Sequence, residues 1–437
     1  MAFSIHIPDN NSAPHSLAEE QWKDLSMFAG RTVKELCGQD DDKVSLLVFP
    51  HSLDANGSKI ADSTIIDIKG ETITSGNLMG FVGCGETRLR IHSRFDLNKK
   101  DNFLHYMLEE AFSANLFDLP FGTDAQSVFD FILFLFPYYL NKALAQGQYR
   151  EYVTYHHNDD RVRGVIEVSR HIRLNTPFIG KVAYRTREQT TDNNMMELVR
   201  HTVEFIRTSA FGSGILARDE ETRTSVSLVV EATPSYDKKE RQKVISRNLR
   251  ARIHPYYSEY EPLRRLCLQI LRQEEIKYGS DDKTVFGILF DGAWLWELYL
   301  EKLLEGHGFT HSVYGGTGVK YLFTSKRAPR YPDFYSDSVV LDAKYKRYGE
   351  VNVSDINRED LAQVISYMYI MNYTVGGFLV PGGTTVKAKG ETLNGHGGKM
   401  YLLNLPIPTA DMSYPAFREA ISKQETLFLE SVDILSE

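Results

Sequence analysis

The sequence predicts an α+β protein of several domains, with β-rich and helical segments first and then a C-terminal α/β module built on a mixed central sheet. Three observations point there. The chain has 437 residues, of which 42% are hydrophobic and 25% charged; this is a globular composition with material for two or three cores at about 150 residues each. Its apolar spacing switches repeatedly between strand-like alternation and helical recurrence. From Thr284 onward the two kinds of segment alternate, as they do where helices cover a sheet.

Residues 43–95 carry short alternating runs, Val44-Ser45-Leu46-Leu47-Val48-Phe49, Thr64-Ile65-Ile66-Asp67-Ile68 and Leu89-Arg90-Ile91-His92, punctuated by Gly57, Gly70, Gly80, Gly83 and Gly85. Helical spacing follows over 102–148, with Leu104, Met107, Leu108 and Phe112 on one face. Strand-like runs return over 152–184, and helices are expected over 193–211 and 260–277. The polar stretch 278–283 sets the last boundary, so the expected domains are 1–100, 101–283 and 284–437, the last being separable from the rest. Within it the expected order is a helix over 290–306, strands over 321–324, 333–335 and 339–345, a helix over 358–371, strands over 375–380 and 400–405, and a final helix from Tyr414.

Charge and cysteine usage narrow the function classes. A formal net charge of −8 is not that of a self-sufficient DNA binder, so any DNA contact must be local or shared with a partner. Cys37, Cys84 and Cys267 form no CxxC pair, which argues against a disulfide framework or a thiolate zinc site. The apolar stretch 129–140 is short for a bilayer span and contains Asp130 and Pro137, so it reads as a buried helix and no membrane association is expected. Residues 1–10 have no basic flank followed by an apolar run, and a cytoplasmic location is expected.

The informative stretch is Tyr331-Pro332-Asp333-Phe334 followed by Val339-Val340-Leu341-Asp342-Ala343-Lys344-Tyr345-Lys346. On an extended strand Asp342 and Lys344 share one face. Ser336-Asp337-Ser338 is a plausible turn that would fold Asp333 back beside Asp342. Two adjacent carboxylates repel unless a cation lies between them, and Mg²⁺ suits hard oxygen ligands while keeping waters, one of which can become a nucleophile. Lys344 would orient or deprotonate that water and stabilise developing negative charge. The chemistry indicated is phosphodiester hydrolysis.

These residues resemble the PD-(D/E)xK nuclease superfamily and, more closely, the McrC family with its LlaJI-type relatives. Trp296-Glu297-Leu298-Tyr299 is similar to the family's helix before the nuclease strands, Pro332-Asp333-Phe334 to its PD element, Leu341-Asp342-Ala343-Lys344 to its (D/E)xK strand, and Gln363 with Tyr367 to its QxxxY element. Gly80-Phe81-Val82-Gly83 and Arg163-Gly164-Val165-Ile166 resemble its upstream regions, whereas His92-Ser93-Arg94-Phe95 departs from the usual Pro-Lys ending. The resemblance implies a Mg²⁺-dependent endonuclease acting on double-stranded DNA, with Asp333, Asp342, the backbone carbonyl of Ala343 and Glu297 toward the metal, and Lys344 and Gln363 completing the catalytic set. It also implies an McrB-like AAA+ GTPase partner, expected as a hexameric ring, docked by the N-terminal part of the chain. No GxxxxGK[S/T] phosphate loop occurs here, so nucleotide hydrolysis must come from elsewhere.

Two readings from different classes remain, a nuclease subunit and a non-catalytic adaptor that binds DNA and stimulates the AAA+ partner. Keeping Asp333, Asp342 and Lys344 together favours the enzyme. Glu297 reads equally as a metal-site acid and as an exposed helix acid. Lys238, Lys239, Arg241, Lys243, Arg247, Arg250 and Arg252 read as a solvated surface, and Lys326, Arg327 and Arg330 as a candidate phosphate grip before Asp333.

Overall fold

In the computed structural model the described residues are 3–37, 44–50, 59–96, 101–112, 125–209, 212–249, 251, 253–276, 285–312, 318–395 and 397–436. Two compact units emerge, and they do not follow the expected boundaries. One combines 1–128 with 281–437, and the other is 129–280.

In the first unit a five-stranded sheet runs in the order Phe3–Pro8, Thr87–His92, Leu78–Cys84, Val285–Asp291, Val44–Phe49. The fourth strand comes from the C-terminal part of the chain, antiparallel to Leu78–Cys84 and parallel to Val44–Phe49. Gly80 and Gly287 permit this pairing: a β-carbon on Gly80 would lie 2.3 Å from the Ile288 carbonyl oxygen, and one on Gly287 2.3 Å from that of Phe81. Val285 and Leu289 join the core of Ile5, Ile7, Leu25, Phe28, Val82 and Leu89. The expected division between 1–100 and 284–437 is therefore corrected, because one sheet and one core contain both. The expected helix from residue 290 begins at Gly292, since 285–291 is strand.

The strand Val285–Asp291 leads directly into the helix Gly292–Leu303, whose N-cap, Asp291, accepts from the backbone N–H groups of Ala293 and Trp294 at 2.7 and 3.1 Å. A six-stranded mixed sheet follows, ordered Thr310–His311, Phe334–Tyr335, Val339–Ala343, Val375–Pro381, Lys399–Leu405, Lys387–Thr392. Its central pairs are parallel, and parallel neighbours need a crossover. The helix Arg358–Met371 provides it between Val339–Ala343 and Val375–Pro381, capped at its start by the Asn357 side chain and closed by Asn372 in the left-handed conformation, φ 57°. Val364, Tyr367 and Met368 of this helix pack on Val340, Phe378, Val380, Met400 and Leu402. The final helix, Tyr414–Ser436, packs against Lys399–Leu405.

The second unit has the helix Asn194–Thr208 packed by Arg241–Leu249 and Tyr260–Ile276. It also has a three-stranded sheet in the order Glu151–Asp159, Val182–Thr190, Val165–Ile166. The apolar stretch 129–140 lies in the helix Ala125–Ala145, with Ile132, Leu133, Leu135, Phe136 and Leu140 buried. Among the described residues no helix is long and apolar enough to cross a membrane.

Candidate active site

The strand Val339–Ala343 is buried along its whole length and ends at the site. Pairing of Phe334 with Leu341 fixes the hairpin register. Continuing that register sets Pro332 opposite Ala343, and proline has no N–H to offer the Ala343 carbonyl. The Ala343 N–H is taken instead by the Asp333 carboxylate, at 2.7 Å from Oδ2. The Pro332-Asp333 pair thus ends the ladder, leaving a backbone oxygen and a carboxylate beside Asp342.

Asp342 is fully buried. Its Oδ2 forms an ion pair with Lys344 Nζ, while its Oδ1 has no hydrogen-bond partner among the described residues. Lys344 Nζ also donates to Gln363 Oε1 at 3.2 Å, Gln363 Nε2 donates to the Tyr367 hydroxyl at 2.7 Å, and that hydroxyl donates to the Tyr331 carbonyl at 3.2 Å. Asp333, Asp342, Lys344 and Gln363 therefore meet at one strand end, joined by the QxxxY pair from the crossover helix.

Burial, reinforced by Asp342, pushes the Asp333 carboxyl up to about 8. Burial also raises Asp342 against the pull of Lys344. Glu297, partly buried on the helix Gly292–Leu303, is raised well above the carboxylate range by burial and then by Asp333 and Asp342. Burial pulls Lys344 down, but Asp342 and Asp333 override it and hold the ammonium above its ordinary value. Such a group of acids ionises together only when extra positive charge is supplied.

The donor chemistry fits a hard cation: two carboxylates, one with a buried oxygen left without a protein donor, and the Ala343 carbonyl. Among the described residues no three His, Cys, Asp or Glu side chains form a metal-holding group by themselves. Glu297 is thus coupled to the aspartates electrostatically without completing a three-carboxylate cage.

The strand ends at Ala343 rather than Tyr345, the Lys346 N–H closes a tight turn onto the Lys344 carbonyl at 2.8 Å, and Lys346 Nζ donates to Asp360 at 2.6 Å. Asp360, which also accepts from the Tyr348 hydroxyl at 3.0 Å, was not marked by any sequence signal. Lys326 and Arg327 are exposed in the loop between Lys320–Tyr321 and Pro329–Arg330. Of the other basic stretch, Lys238, Lys239, Lys243 and Arg247 are exposed, Lys243 pairs with Glu240, and Arg250 and Arg252 lie outside the described residues.

Next to Lys344, Tyr345 turns into the N-terminal sheet. Its hydroxyl lies 2.6 Å from Ser93 Oγ and 3.2 Å from Met79 Sδ, with the Arg94 guanidinium 4.9 Å from the ring centre and Phe95 edge-on at 5.0 Å. Ser93, Arg94 and Phe95, where the sequence departs from the family's ending, are thus packed against the residue after the lysine. A cleft of about 450 Å³ opens here, lined on one side by Glu297, Ala343 and Lys344 and on the other by Asn10, Asn77 and Arg94.

Fold and site together define a mixed α/β protein with an acid and lysine cluster at the end of a buried central strand. The family model described as "McrBC 5-methylcytosine restriction system component" matches residues 73–380, and the chain belongs to that family. A solved structure titled as a refined half-complex from the tetradecameric assembly of Thermococcus gammatolerans McrB AAA+ hexamers with bound McrC is similar at 15% identity, covering 98% of this chain and 99% of that one, with a TM-score of 0.45. A cryo-EM structure of the Thermococcus gammatolerans McrBC complex is similar at 15% identity over 70% of this chain and 88% of that one, TM-score 0.29. No curated protein matches the chain.

Proposed function

We propose that this chain is the DNA-cutting subunit of an McrBC-type restriction complex, a Mg²⁺-dependent PD-(D/E)xK endonuclease activated in the cytoplasm by an McrB-like AAA+ GTPase. The observation that carries the reading is Asp342: a carboxylate buried at the end of a core strand, with Oδ1 unpartnered, is costly unless a ligand completes it. Asp333, Asp342 and the Ala343 carbonyl would hold Mg²⁺, with Glu297 adding negative charge nearby. When bound, the ion would neutralise phosphate charge and lower the pKa of a coordinated water.

The protein's own groups have distinct roles. Asp333 is held on the Ala343 N–H and Asp342 on Lys344, so both carboxylates are fixed before substrate arrives. Of the two roles open to Lys344, a charged ammonium fits the one that stabilises negative charge on the attacked phosphate, because its acid neighbours keep it protonated. Gln363 steers that ammonium and is itself fixed by Tyr367.

Two observations support a partner. The family is one of restriction-system components, and this chain has no phosphate loop of its own. In the second unit Val165, Ile166, Val168, Ile172, Phe178 and Ile179 are all exposed, an apolar surface of the kind that marks protein contact. We assign the GTPase contact to this unit, since the N-terminal sheet is built into the nuclease itself.

Plasmid cleavage tests the proposal. The full chain alone should cut weakly or not at all, and adding the partner with GTP and Mg²⁺ should give double-strand breaks that EDTA abolishes. Robust cutting without nucleotide or partner would identify a stand-alone nuclease instead.

A further inference from the structure

We propose that the cleft beside the active site contains a second phosphate seat, formed by Arg94 and Arg347, which holds a DNA phosphodiester neighbouring the one attacked. Its place in catalysis rests on the nuclease reading above, but the phosphate binding itself does not. Although the chain carries a net charge of −8, the cleft is lined by four cations, Arg94, Lys344, Lys346 and Arg347, against one acid, Glu297. A cleft lined mainly by cations within an acidic protein is a local exception to the overall charge and favours an anion there.

Three of the four cations are already paired, Lys344 with Asp342, Lys346 with Asp360 and Arg94 with Asp9. Arg347 is exposed and makes no hydrogen bond or ion pair among the described residues. Arg94 is only 7% exposed and is held in place: its Nε and Nη2 donate to Asp9 Oδ2 at 2.9 and 2.5 Å, its backbone N–H donates to Asp9 Oδ1 at 2.5 Å, and Nη2 also donates to Asn77 Oδ1 at 2.7 Å. Nη1 makes no hydrogen bond to the protein among the described residues, which leaves a fixed donor on a residue that lines the cleft. Burial raises Asp9, while Arg94 first and then Arg347 pull it down, so both guanidiniums act on this one carboxylate.

The seat is also tied to the catalytic helix. The Asn77 carbonyl accepts from the Gly292 N–H at 3.0 Å, at the start of the helix that carries Glu297. A guanidinium locked by a buried carboxylate and an amide is preorganised for a phosphate, losing little side-chain freedom when it binds. The N-terminal sheet therefore forms one wall of the substrate site.

The test uses the full chain, a fluorescently labelled DNA duplex and EDTA, with affinity read by anisotropy across a salt series. Arg347→Ala, at an exposed position, should lower the slope of log affinity against log salt by about one and weaken binding on the order of tenfold at low salt. Asn77→Ala, which releases Arg94, should weaken binding by a smaller factor, and Lys238→Ala should leave it unchanged. The proposal is overturned if Arg347→Ala and Asn77→Ala bind as the unaltered chain does, if Lys238→Ala loses as much, or if the unaltered chain binds no duplex at the lowest salt. Weakened binding by Arg347→Ala from a chain that never cuts, even with its partner, would sustain the seat and remove the nuclease reading.

Discussion

The indole N–H of Trp296 donates to the Leu379 carbonyl at 3.1 Å, the same oxygen that accepts the backbone N–H of Lys344 at 2.9 Å. One acceptor thus ties the helix bearing Glu297 to the strand end bearing the lysine. Trp296 is fully buried, 5.4 Å from the Tyr299 ring and 6.3 Å from that of Phe103. Trp296→Ala should therefore cost about 3–5 kcal/mol, and Trp296→Phe about 1 kcal/mol for the lost hydrogen bond besides any packing change. Urea unfolding midpoints give both values, and a loss below about 1 kcal/mol for alanine would contradict this anchoring.

On the proposed reading, Lys344→Ala should abolish cleavage while leaving folding and stimulation of the partner's GTPase intact, because its ammonium would serve the reaction alone. Asp342→Ala should abolish cleavage and weaken Mg²⁺ binding as well, since it removes a ligand. Lys346→Ala should cost less, as that amine is occupied by Asp360. Plasmid cleavage and GTPase rates for the three variants, measured side by side, decide the matter; unchanged cutting by Lys344→Ala would remove the proposed site.

A fragment of 284–437 should not fold, contrary to the separable module expected from sequence. It would retain the strand Val285–Asp291 but lose both neighbours, Leu78–Cys84 and Val44–Phe49, and strip Phe95 from Tyr345 and Phe103 from Trp296. Near-ultraviolet circular dichroism and a urea titration of the fragment provide the check. A cooperative transition with native-like aromatic signal would show that the two parts are independent after all.

His201 gives a pH signature in the second unit. Burial, aided by Arg241, lowers this imidazole from its ordinary 6.5 to about 4. The unfolded chain then binds the proton more tightly than the folded one, so the stabilisation is complete above pH 6.5 and is lost as pH falls toward about 4. His201→Gln should flatten thermal stability across that window relative to the unaltered chain. An equal acid loss in both proteins would assign the effect to other groups.

What could be read from the sequence was what neighbouring residues decide among themselves. The helix Arg358–Met371 was legible to the residue because Asn357 caps it, Glu359 and Asp360 fill its first turn and Asn372 closes it. Asp342 and Lys344 were legible as a same-face pair, and Gln363 with Tyr367 as a helical one. The strand Val285–Asp291 was not, since an apolar run buried in a sheet interior and followed directly by an apolar helix has no period to separate them. The edge strand Lys387–Thr392 is mostly exposed and polar, so its alternation carries no signal. Arg94 and Asn77 gain significance only through pairings made across the fold, and no local spacing announces those.

The interleaving of the five-stranded sheet also bears on how the protein is made. Its fourth strand is translated just over 200 residues after the strand Leu78–Cys84 that it joins, so a nascent chain must wait through the synthesis of the entire second unit with Leu78–Cys84 and Val44–Phe49 presenting unpaired edges. Such edges are templates for wrong partners, including those of neighbouring polysomal chains. A ribosome that stalls before residue 285 releases a product with an open sheet and without Glu297, Asp333, Asp342 and Lys344, whereas the strand that completes the sheet leads directly into the helix bearing Glu297. The polypeptide therefore cannot assemble its cluster of acids and lysine before the N-terminal strands are in place to pair with Val285–Asp291.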